Sequence, residues 1–366
     1  MNEPTHDRVA VIHDWLTGMR GGEKVLEAIL QLYPAAELFT LFHFQGAVSP
    51  FIEKRVIHTS SLQRWAEKID DYRKLLPLFP FAVQQWSLQN YDLVISSSHC
   101  VAKGVSTAAP HVSYCHTPMR YIWDRFDDYF PPERPFTRFA ANVVAPFLRR
   151  WDQKTAANVD LFVANSAFVR DRIRRHYGRE AAVVHPFVDQ AFLEPELVES
   201  RGDYHLIVSA LVPYKRIEMA IEAFRSGERK LIVVGDGPLG DELRDLAGPN
   251  VSILGFVSEE ELLLLYARAL SLILPGVEDF GITCLEAMAL GTPVVALRKG
   301  GSLDTVVDGE TGIFFDEPSV DSLLSAVGRA EQTRWDRGAI RAHANRFSRA
   351  RFQHELTALI DDVHRQ

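Results

Sequence analysis

The chain has little cysteine, no long apolar run and no excess of basic residues, and each shortage excludes a class of protein. Its cysteines, Cys100, Cys115 and Cys284, lie far apart and form no Cys-x-x-Cys pair, so neither a disulfide scaffold nor a zinc site is indicated. The most apolar stretch, 262–275, is interrupted by Arg268 and is shorter than the ~20 residues of a membrane-spanning helix. The 40 Lys and Arg residues stand against 48 Asp and Glu, and the net charge of −8 argues against a nucleic-acid partner.

No targeting segment is visible either. Residues 1–7 have neither the basic nor the apolar region of a secretory signal peptide. With so few cysteines, this favours a cytoplasmic protein that is soluble or held peripherally at the inner membrane face. The length fits about two domains. The ordinary mixture of apolar and charged residues excludes collagen-like, coiled-coil and wholly disordered chains.

Short apolar runs alternate with segments of helical period along nearly the whole chain. Such alternation predicts parallel sheets that are covered by helices on both faces. Because ten strands would make one large sheet, the length favours an α/β protein with two doubly wound, Rossmann-like domains facing each other across a cleft. The predicted strands are 8–13, 91–98, 111–116, 160–165, 204–210, 230–235, 251–257, 270–275, 293–297 and 312–315. The predicted helices include 23–32, 217–224, 259–267 and 283–289.

The domain boundary is predicted near 185–203, a proline-containing and acidic stretch without a clear period. We therefore expect a first domain over 1–190 and a second over 191–347. A closing helix is expected over 348–366, and it could cross back to the first domain. In open α/β sheets the ligand binds at the carboxyl ends of the strands, so the loops at those ends are the candidate sites.

Two glutamates flank a strand-to-helix turn in the second half. The backbone N–H groups near Phe280, Gly281 and Ile282, at the positive end of a helix dipole, offer a place for an anion such as a diphosphate. Glu286, inside the helix, could reach a ribose hydroxyl pair, and Glu278 would face the group attached to the phosphate. The same spacing also fits ordinary first-turn and surface acids, so it does not decide between the two interpretations.

A basic loop follows the predicted strand 204–210. Lys215 and Arg216 stand at the carboxyl end of this strand, where two cations could neutralise a departing diphosphate. A solvated turn is the alternative interpretation of the same residues.

Two glycine loops complete the pattern of the second half. Residues 235–240 read Gly-x-Gly-x-x-Gly, and acids follow at Glu259 and Glu260, which is the outline of a dinucleotide fingerprint. Pro238 removes one donor that a pyrophosphate would use, and the unit lies inside the second sheet, so a dehydrogenase is disfavoured. The pair at 300–301 offers close backbone approach to a ligand or a simple tight turn.

Taken together, these landmarks resemble a family. The run 206–315 looks like the nucleotide-sugar half of the retaining glycosyltransferases of family 4, which are two-domain enzymes of GT-B architecture. The paired glutamates, the basic loop, the Gly-Asp-Gly-Pro turn at 235–238 and the late glycine pair occur in the family's order. The chain departs from the family at Ala210, where Arg is frequent, and at Arg216, where Gly is common. Arg216 either replaces the missing cation, or phosphate binding or activity is weakened.

The first half resembles the same family. Gly21 and Gly22 follow the first strand and look like the family's opening glycine loop, although a flexible helix-capping turn would read the same. His116 stands just after a predicted strand, at the position where the family has a histidine that contacts the donor sugar. The wording of 114–124 is most similar to mannosyltransferases that use GDP-mannose in bacterial surface-polysaccharide assembly.

The resemblance implies a hexosyltransferase that retains configuration and moves mannose from GDP-mannose to a glycan or a polyprenyl-diphosphate-linked acceptor. The implied catalytic residues are Glu278, His116, Lys215 and Asp14, the last facing the acceptor; the implied donor-binding residues are Gly21, Gly22, Lys215, Arg216, Gly235, Gly237, Phe280, Gly281, Ile282 and Glu286. No cofactor and no metal are expected, because the sequence has neither Asp-x-Asp nor a ligand cluster. A sugar-nucleotide epimerase and a non-catalytic nucleotide-sugar binder remain alternatives.

Two segments combine basic and aromatic residues. They are 64–86 and 134–154, and both carry several Lys and Arg beside Phe and Trp. Such segments can lie on an anionic lipid surface, where a lipid-linked acceptor would be found. Ordinary helices that cover the first sheet are the alternative.

Overall fold

The computed structural model describes residues 8–69, 71–198 and 200–364. The chain divides into two compact units, the first of Met1–His185 with Phe352–Gln366 and the second of Pro186–Arg351. The sequence placed these divisions after residues 190 and 347, a few residues away from where the structure has them. Residues 1–7, on which the expectation of no signal peptide rests, lie outside the described residues.

The first unit contains a parallel sheet of seven strands. They are β1 (Val9–His13), β2 (Glu37–Thr40), β3 (Ile57–Thr59), β4 (Leu93–Ser98), β5 (His111–Cys115), β6 (Leu161–Ala164) and β7 (Ala181–Val183). Their order in the sheet is β3-β2-β1-β4-β5-β6-β7. The helices are α1 (Gly21–Leu32), α2 (Pro50–Glu53), α3 (Gln63–Ala66), α4 (Phe79–Val83), α5 (Phe126–Tyr129), α6 (Pro135–Ala156) and α7 (Ala167–Tyr177), with 3-10 turns at Tyr72–Leu78 and Ala102–Gly104.

The second unit contains a parallel sheet of six strands. They are β8 (Tyr204–Val208), β9 (Lys230–Val234), β10 (Val251–Gly255), β11 (Leu272–Leu274), β12 (Val294–Leu297) and β13 (Gly312–Phe315), in the order β10-β9-β8-β11-β12-β13. The helices are α8 (Gln190–Leu193), α9 (Ile217–Phe224), α10 (Gly240–Leu246), α11 (Glu259–Arg268), α12 (Ile282–Ala289), α13 (Ser302–Thr305), α14 (Val320–Gln332), α15 (Arg337–Asn345) and the start of α16 (Arg349–His364), with a 3-10 turn at Pro213–Lys215.

Both sheets are buried on their two faces, as a doubly wound sheet requires. In the second unit, Leu272 and Leu274 of β11 point into one hydrophobic cluster, whereas Ile273 between them points into another. All ten strands predicted from apolar runs are present, and the prediction of two Rossmann-like α/β domains is confirmed.

Three short strands of the first unit were missed. β2, β3 and β7 have only three or four residues, and β3 and β7 lie at the edges of the sheet. β3 is held partly by polar contacts, since His58 lies 2.7 Å from Glu37 of β2. Segments of three or four residues are too short for an alternating or continuous apolar pattern to identify them as strands.

The first strand of each unit lies where the winding reverses. β1 pairs with both β2 and β4, and β8 pairs with both β9 and β11. Loops that leave the carboxyl ends of neighbouring strands diverge at such a point and form a crevice for ligands. The loops after β1 and β4, and those after β8 and β11, are therefore the places to examine.

The last helix, α16, begins in the second unit and continues into the first. Within the first unit, the ring of Phe352 packs 5.5 Å from the ring of Tyr114, and Gln353 donates a hydrogen bond of 3.0 Å to the carbonyl of Ala28. No helix within 8–69, 71–198 and 200–364 is long and apolar enough to cross a bilayer.

A buried ion pair ties α6 to the 3-10 turn after β4. Lys103 Nζ lies 2.8 Å from Asp152 Oδ1, and both side chains are almost fully buried. Trp123 and Tyr177 donate hydrogen bonds of 2.8 and 2.9 Å to the other carboxylate oxygen of Asp152. The carboxylate is therefore well solvated by the protein, provided that Lys103 is present.

We expect Lys103→Met to lower the free energy of unfolding by about 3–5 kcal/mol, because it leaves a buried carboxylate without its cation. The double variant Lys103→Met/Asp152→Asn should recover part of the loss. Urea unfolding followed by circular dichroism measures both. Lys154→Met, at an exposed position of α6, the helix that carries Asp152, is the control and should change stability by less than ~0.5 kcal/mol. An equally small effect of Lys103→Met would contradict the assignment.

Candidate functional site

An ion pair joins two loops at the carboxyl edge of the second sheet. Lys215, in the loop after β8, donates a hydrogen bond to Glu278, in the loop after β11. Both side chains are mostly shielded from solvent, with exposed fractions of 15% and 17%. The structure thus brings together two of the residues that the sequence singled out for the same chemistry.

Glycines allow these loops to touch through their backbones. A Cβ on Gly276 would lie 2.7 Å from the Cα of Lys215, so the two loops could not approach as they do with any other residue there. The pair Gly300 and Gly301 packs equally closely on the backbone of 278–280, and the N–H of Gly301 donates a 2.8 Å hydrogen bond to the carbonyl of Glu278. The late glycine loop therefore holds the glutamate loop in place.

Helix α12 begins directly beside Glu278. Its N-cap is Gly281, whose φ of 86° is readily adopted only by glycine. A Cβ on Gly281 would lie 3.5 Å from the side chain of Glu278, so this side chain rests against the amino end of the helix. Phe280 is buried and Ile282 is half-buried. The positive end of the helix dipole and the charge of Lys215 therefore lie on two sides of the same carboxylate.

Glu286 is held by a residue that the sequence did not point to. The hydroxyl of Tyr266, from α11, donates a 2.7 Å hydrogen bond to Glu286. Tyr266 is fully buried, and its burial together with the nearby Glu286 charge raises its pKa well above the usual range. Tyr266 therefore stays protonated and fixes one carboxylate oxygen of Glu286. The contact joins two helices, so no local pattern could reveal it.

The Gly-Asp-Gly-Pro turn has a structural reason for its glycines. Gly235 has a φ of 131°, and a Cβ on Gly235 or Gly237 would clash with the backbone of 209–211. Hydrogen bonds link the same segments, including Leu211 N to Asp236 O at 3.0 Å. These glycines let the loop after β9 support the loop that leads to Lys215.

Arg216 has a backbone conformation that favours glycine. Its φ is 55°, and among the described residues it is the only non-glycine residue with a positive φ. It ends the 3-10 turn Pro213–Lys215 and caps the start of α9, so the chain must change direction at this residue. Ala210, where the family often has Arg, is exposed.

A separate cluster of polar side chains surrounds His116 in the first unit. Its Nε2 lies 2.8 Å from Ser97 Oγ, and Ser97 in turn lies 3.1 Å from Nδ1 of His13. Gly22, near the start of α1, faces the rings of His13 and His116, with room for a Cβ at 3.8 Å. Gly21 is the first residue of α1 and is exposed. Three consecutive serines at the end of β4 were the only sequence signal for Ser97.

The expectation that Asp14 faces an acceptor is contradicted by the structure. Asp14 is fully buried, and its two carboxylate oxygens accept four hydrogen bonds, of 2.6, 2.9, 2.7 and 2.7 Å, from the backbone N–H groups of residues 99–102. Its Oδ2 also lies 3.1 Å from His99 Nδ1. Asp14 therefore shapes the loop after β4 instead of contacting a substrate.

Several residues of the 114–124 motif anchor the loop to neighbouring helices. Thr117 accepts a hydrogen bond from Arg172 of α7. Asp124 pairs with Arg172 and with His176, at 2.5 and 3.0 Å. Although burial opposes ionisation of Asp124, His176 and Arg172 lower its pKa to about 2. Thr117 and Asp124 therefore have structural contacts, whereas His116 is a half-buried residue of the motif that belongs to the polar cluster described above.

The two basic and aromatic segments contribute both to the core and to the surface. Ala66, Phe79, Ala145 and Leu148 are buried in the core of the first unit. The large apolar side chains that these segments expose are Trp65, Leu78, Phe81, Phe136, Phe139, Val143 and Phe147. The two segments thus cover the first sheet with part of their length and also leave an exposed apolar surface.

Two family models match the chain, one in each half. Residues 21–192 match the family model of Glycosyltransferase Family 4, and residues 190–350 match that of Glycosyl transferases group 1. A GDP-mannose-dependent alpha-(1-6)-phosphatidylinositol monomannoside mannosyltransferase of Mycolicibacterium smegmatis is 32% identical over 213 residues, which are 50% of this chain and 56% of that protein. The chain thus spans about half the length of the curated relatives it matches.

Solved structures agree on the fold. The lipopolysaccharide outer core galactosyltransferase WaaB in its apo form superposes with a TM-score of 0.66 at 16% identity, over 97% of this chain and 99% of that chain. Anabaena Alr3699/HepE in complex with UDP-glucose gives a TM-score of 0.68 at 18% identity, over 97% and 99%. The chain is therefore composed of the two Rossmann-like domains found in GT-B glycosyltransferases.

Arg216 offers a test of the backbone argument. We expect Arg216→Gly to raise the free energy of unfolding by about 1 kcal/mol, because glycine adopts the left-handed conformation without the cost that a Cβ imposes. Arg216→Ala removes the same charge but keeps the Cβ, so it should not stabilise the protein. Urea unfolding of the two variants beside the parent chain measures the difference. Equal stabilities of the Gly and Ala variants would show that the conformation costs nothing.

Proposed function

We propose that this chain, which matches Glycosyltransferase Family 4 over 21–192 and Glycosyl transferases group 1 over 190–350, is an enzyme that transfers mannose from GDP-mannose to a glycan or lipid-linked acceptor in surface-polysaccharide synthesis. The observation that carries this proposal is the ion pair of Lys215 and Glu278 at the amino end of α12. Mannose and GDP are favoured by the mycobacterial relative, whose name states both.

Lys215 and α12 would stabilise the departing nucleoside diphosphate. Charge builds up on the diphosphate as its bond to the sugar breaks, and a fixed cation and helix dipole in a partly buried site interact strongly with that charge. Arg216, the next residue in the chain, adds a second cation on the same loop. Gly281 and Ile282 would supply backbone N–H groups to the phosphates, and Gly235 and Gly237 line the neighbouring loop.

The glutamates would hold the two ends of the donor. Glu278 accepts hydrogen bonds from hydroxyls of the transferred sugar. When Glu278 gives up its contact with Lys215 to bind the sugar, the lysine becomes available to the phosphate. Glu286, one of whose carboxylate oxygens is held by Tyr266, would accept hydrogen bonds from the ribose hydroxyls. The two carboxylates thus fix the sugar and the nucleoside while the phosphate rests between them.

The proposed reaction retains the configuration of the sugar. An acceptor hydroxyl attacks the anomeric carbon from the face that the diphosphate leaves, the glycosidic bond forms as the bond to the diphosphate breaks, and the hydroxyl proton passes to the departing phosphate oxygen. His116 orients the sugar, and Gly21 and Gly22 let the backbone of α1 approach it. No metal takes part in this scheme, so activity should persist in EDTA.

The assay that tests this function mixes the purified chain with GDP-, UDP- and ADP-sugars and follows released nucleoside diphosphate. Release or transfer supports the proposal, and interconversion of the sugars identifies an epimerase. A thermal shift without turnover identifies a non-catalytic binder, the outcome expected if Ala210, in place of the frequent Arg, abolishes activity. A stronger thermal shift with a UDP-sugar than with GDP-mannose would overturn the donor assignment.

We expect Glu278→Gln to lower kcat by about 100-fold or more, because a preorganised charged contact to the donor is lost with little change in shape. Glu260→Ala, at an exposed position of α11, is the control and should stay within twofold of the parent chain. A circular dichroism melt confirms that both variants are folded. Unchanged turnover of Glu278→Gln would remove Glu278 from the mechanism.

We further propose that the first unit rests on an anionic membrane where its acceptor lies. Phe136, Phe139, Val143 and Phe147 are spaced by three or four residues, so they form one exposed stripe along α6. The ring of Phe81 stacks on that of Phe147 at 6.0 Å, which joins the segment 64–86 to the same stripe. Exposed cations on these segments, at Arg64, Lys68, Arg73, Lys74, Arg134, Arg150 and Lys154, suit anionic lipid headgroups.

Binding to liposomes tests this surface. The chain should cosediment with phosphatidylglycerol-containing vesicles at low salt, and Phe136→Ser/Phe139→Ser should weaken binding about tenfold or more because two inserted rings are lost. Phe256→Ser is a matched control, since Phe256 of the second unit is 84% exposed and Phe136 is 89% exposed. Equal loss in the control, or no binding by the parent chain, would refute the proposal.

A further inference from the structure

A line of three buried polar side chains, Glu23, His13 and Ser97, leads through the interior of the first unit to His116. Ser97 Oγ lies 2.8 Å from His116 Nε2 and 3.1 Å from His13 Nδ1, and Glu23 Oε1 lies 3.7 Å from His13 Nε2. Ser97, His13 and Glu23 have exposed fractions of 0%, 1% and 5%, so solvent reaches none of them. The line begins at the first turn of α1 and crosses the ends of β1 and β4.

Glu23 gives this line a direction. Burial opposes its ionisation, but the neighbouring His13 ring, whose Nε2 lies 3.7 Å from Oε1, holds its pKa below the usual range. The backbone N–H of Arg20 donates a 3.0 Å hydrogen bond to its other oxygen, and its place in the first turn of α1 adds the helix dipole. Glu23 is therefore a carboxylate at neutral pH.

The carboxylate decides where the protons lie. In a neutral His13 ring, a negative charge near Nε2 favours the proton on that nitrogen, which leaves Nδ1 as an acceptor. Because serine has a single hydrogen to donate, Ser97 gives it to His13 and accepts with its oxygen from Nε2 of His116. It follows that neutral His116 carries its proton on Nε2 and its lone pair on Nδ1.

Other charges near these rings do not reverse this order. His99 lies 6.1 Å from the His13 ring and 6.5 Å from the His116 ring, and burial together with His13 lowers its pKa to about 3, so it is neutral. Asp14 faces the backbone of 99–102 and His99. Arg20 and Arg120 act on His99 at longer range. Tyr114, whose ring lies 5.2 Å from that of His116, is uncharged at neutral pH.

The order carboxylate, histidine, serine is also that of a nucleophilic triad, but the burial of Ser97 excludes this use. A serine nucleophile must meet its substrate, and Ser97 is fully enclosed within β4. The partly exposed member of the line is His116. Whatever the line does must therefore act through His116.

We propose that Glu23, His13 and Ser97 are positioning residues that hold His116 in its Nε2–H tautomer, so that Nδ1 accepts a hydrogen bond from a hydroxyl of the sugar or acceptor. This inference rests on the proposed transferase function only for the identity of that hydroxyl. A neutral imidazole without such a partner populates two tautomers, and the wrong one would present a donor N–H where an acceptor is needed.

Histidine NMR tests the tautomer without any substrate. Protein labelled with 15N at histidine should show the Nε2–H pattern for His116 in long-range 1H–15N spectra, and His116→Gln identifies the signal by its loss. Ser97→Thr keeps the hydroxyl and should keep this pattern, whereas Ser97→Val, which has the same shape without a hydroxyl, should populate the Nδ1–H form. An Nδ1–H pattern in the parent chain, or identical spectra of the Thr and Val variants, would overturn the proposal.

The variant Glu23→Gln tests the same line without any substitution in β4. Removing the charge should weaken the preference for Nε2–H in His116, and an unchanged spectrum would remove Glu23 from the line. If the chain is a transferase, Ser97→Val should lower kcat about tenfold with little change in the donor KM, and Ser97→Thr should restore it. A chain without transferase activity that still shows the expected spectra would refute the proposed function but not this inference.

Discussion

Lys215 meets Glu278 because the loops that carry them have no side chain where their backbones touch. Gly276 lies against the backbone of Lys215, and the pair Gly300 and Gly301 lies against the backbone of 278–280. The separation of the two charges is therefore set by main-chain contacts, which are stiffer than the rotamers of long side chains. A site that must receive a multiply charged ligand gains from this arrangement, because its charges need little rearrangement when the ligand arrives.

In the first unit, buried polar side chains fix the loops, whereas in the second unit glycine backbone contacts do so. There, side chains bury themselves to hold the backbone and one another: Asp14 gathers four backbone N–H groups after β4, and Glu23 orients a histidine and a serine. A fully buried carboxylate is tolerated only when its hydrogen bonds are satisfied. These polar groups therefore fix the loop ends after β1 and β4 as firmly as glycine packing fixes those after β8 and β11.

Buried strands and glycine loops could be predicted from the sequence, whereas the partners of polar residues could not. β1, β4, β8 and β11 stand out because they are apolar runs between loops. Ser97 and His13 are 84 residues apart, and Tyr266 and Glu286 belong to different helices, so their contacts exist only after packing. The expectation that Asp14 faces an acceptor failed for the same reason. The sequence around a carboxylate that follows a strand does not show whether the carboxylate faces solvent or binds backbone N–H groups.

Arg216 combines an unfavourable backbone conformation with a positive charge in the loop that carries Lys215. The chain needs a left-handed residue between the 3-10 turn and α9, and an arginine there costs about 1–2 kcal/mol of backbone energy that glycine would avoid. Such conformations persist where they serve the site more than they cost the fold. Ala210 and Arg216 both lie in the loop after β8, where Arg216 follows Lys215 directly and gives this loop a second cation. Under the proposed function, the arginine at this strained position would serve as a second cation for the diphosphate, which would explain why a residue other than glycine is kept there.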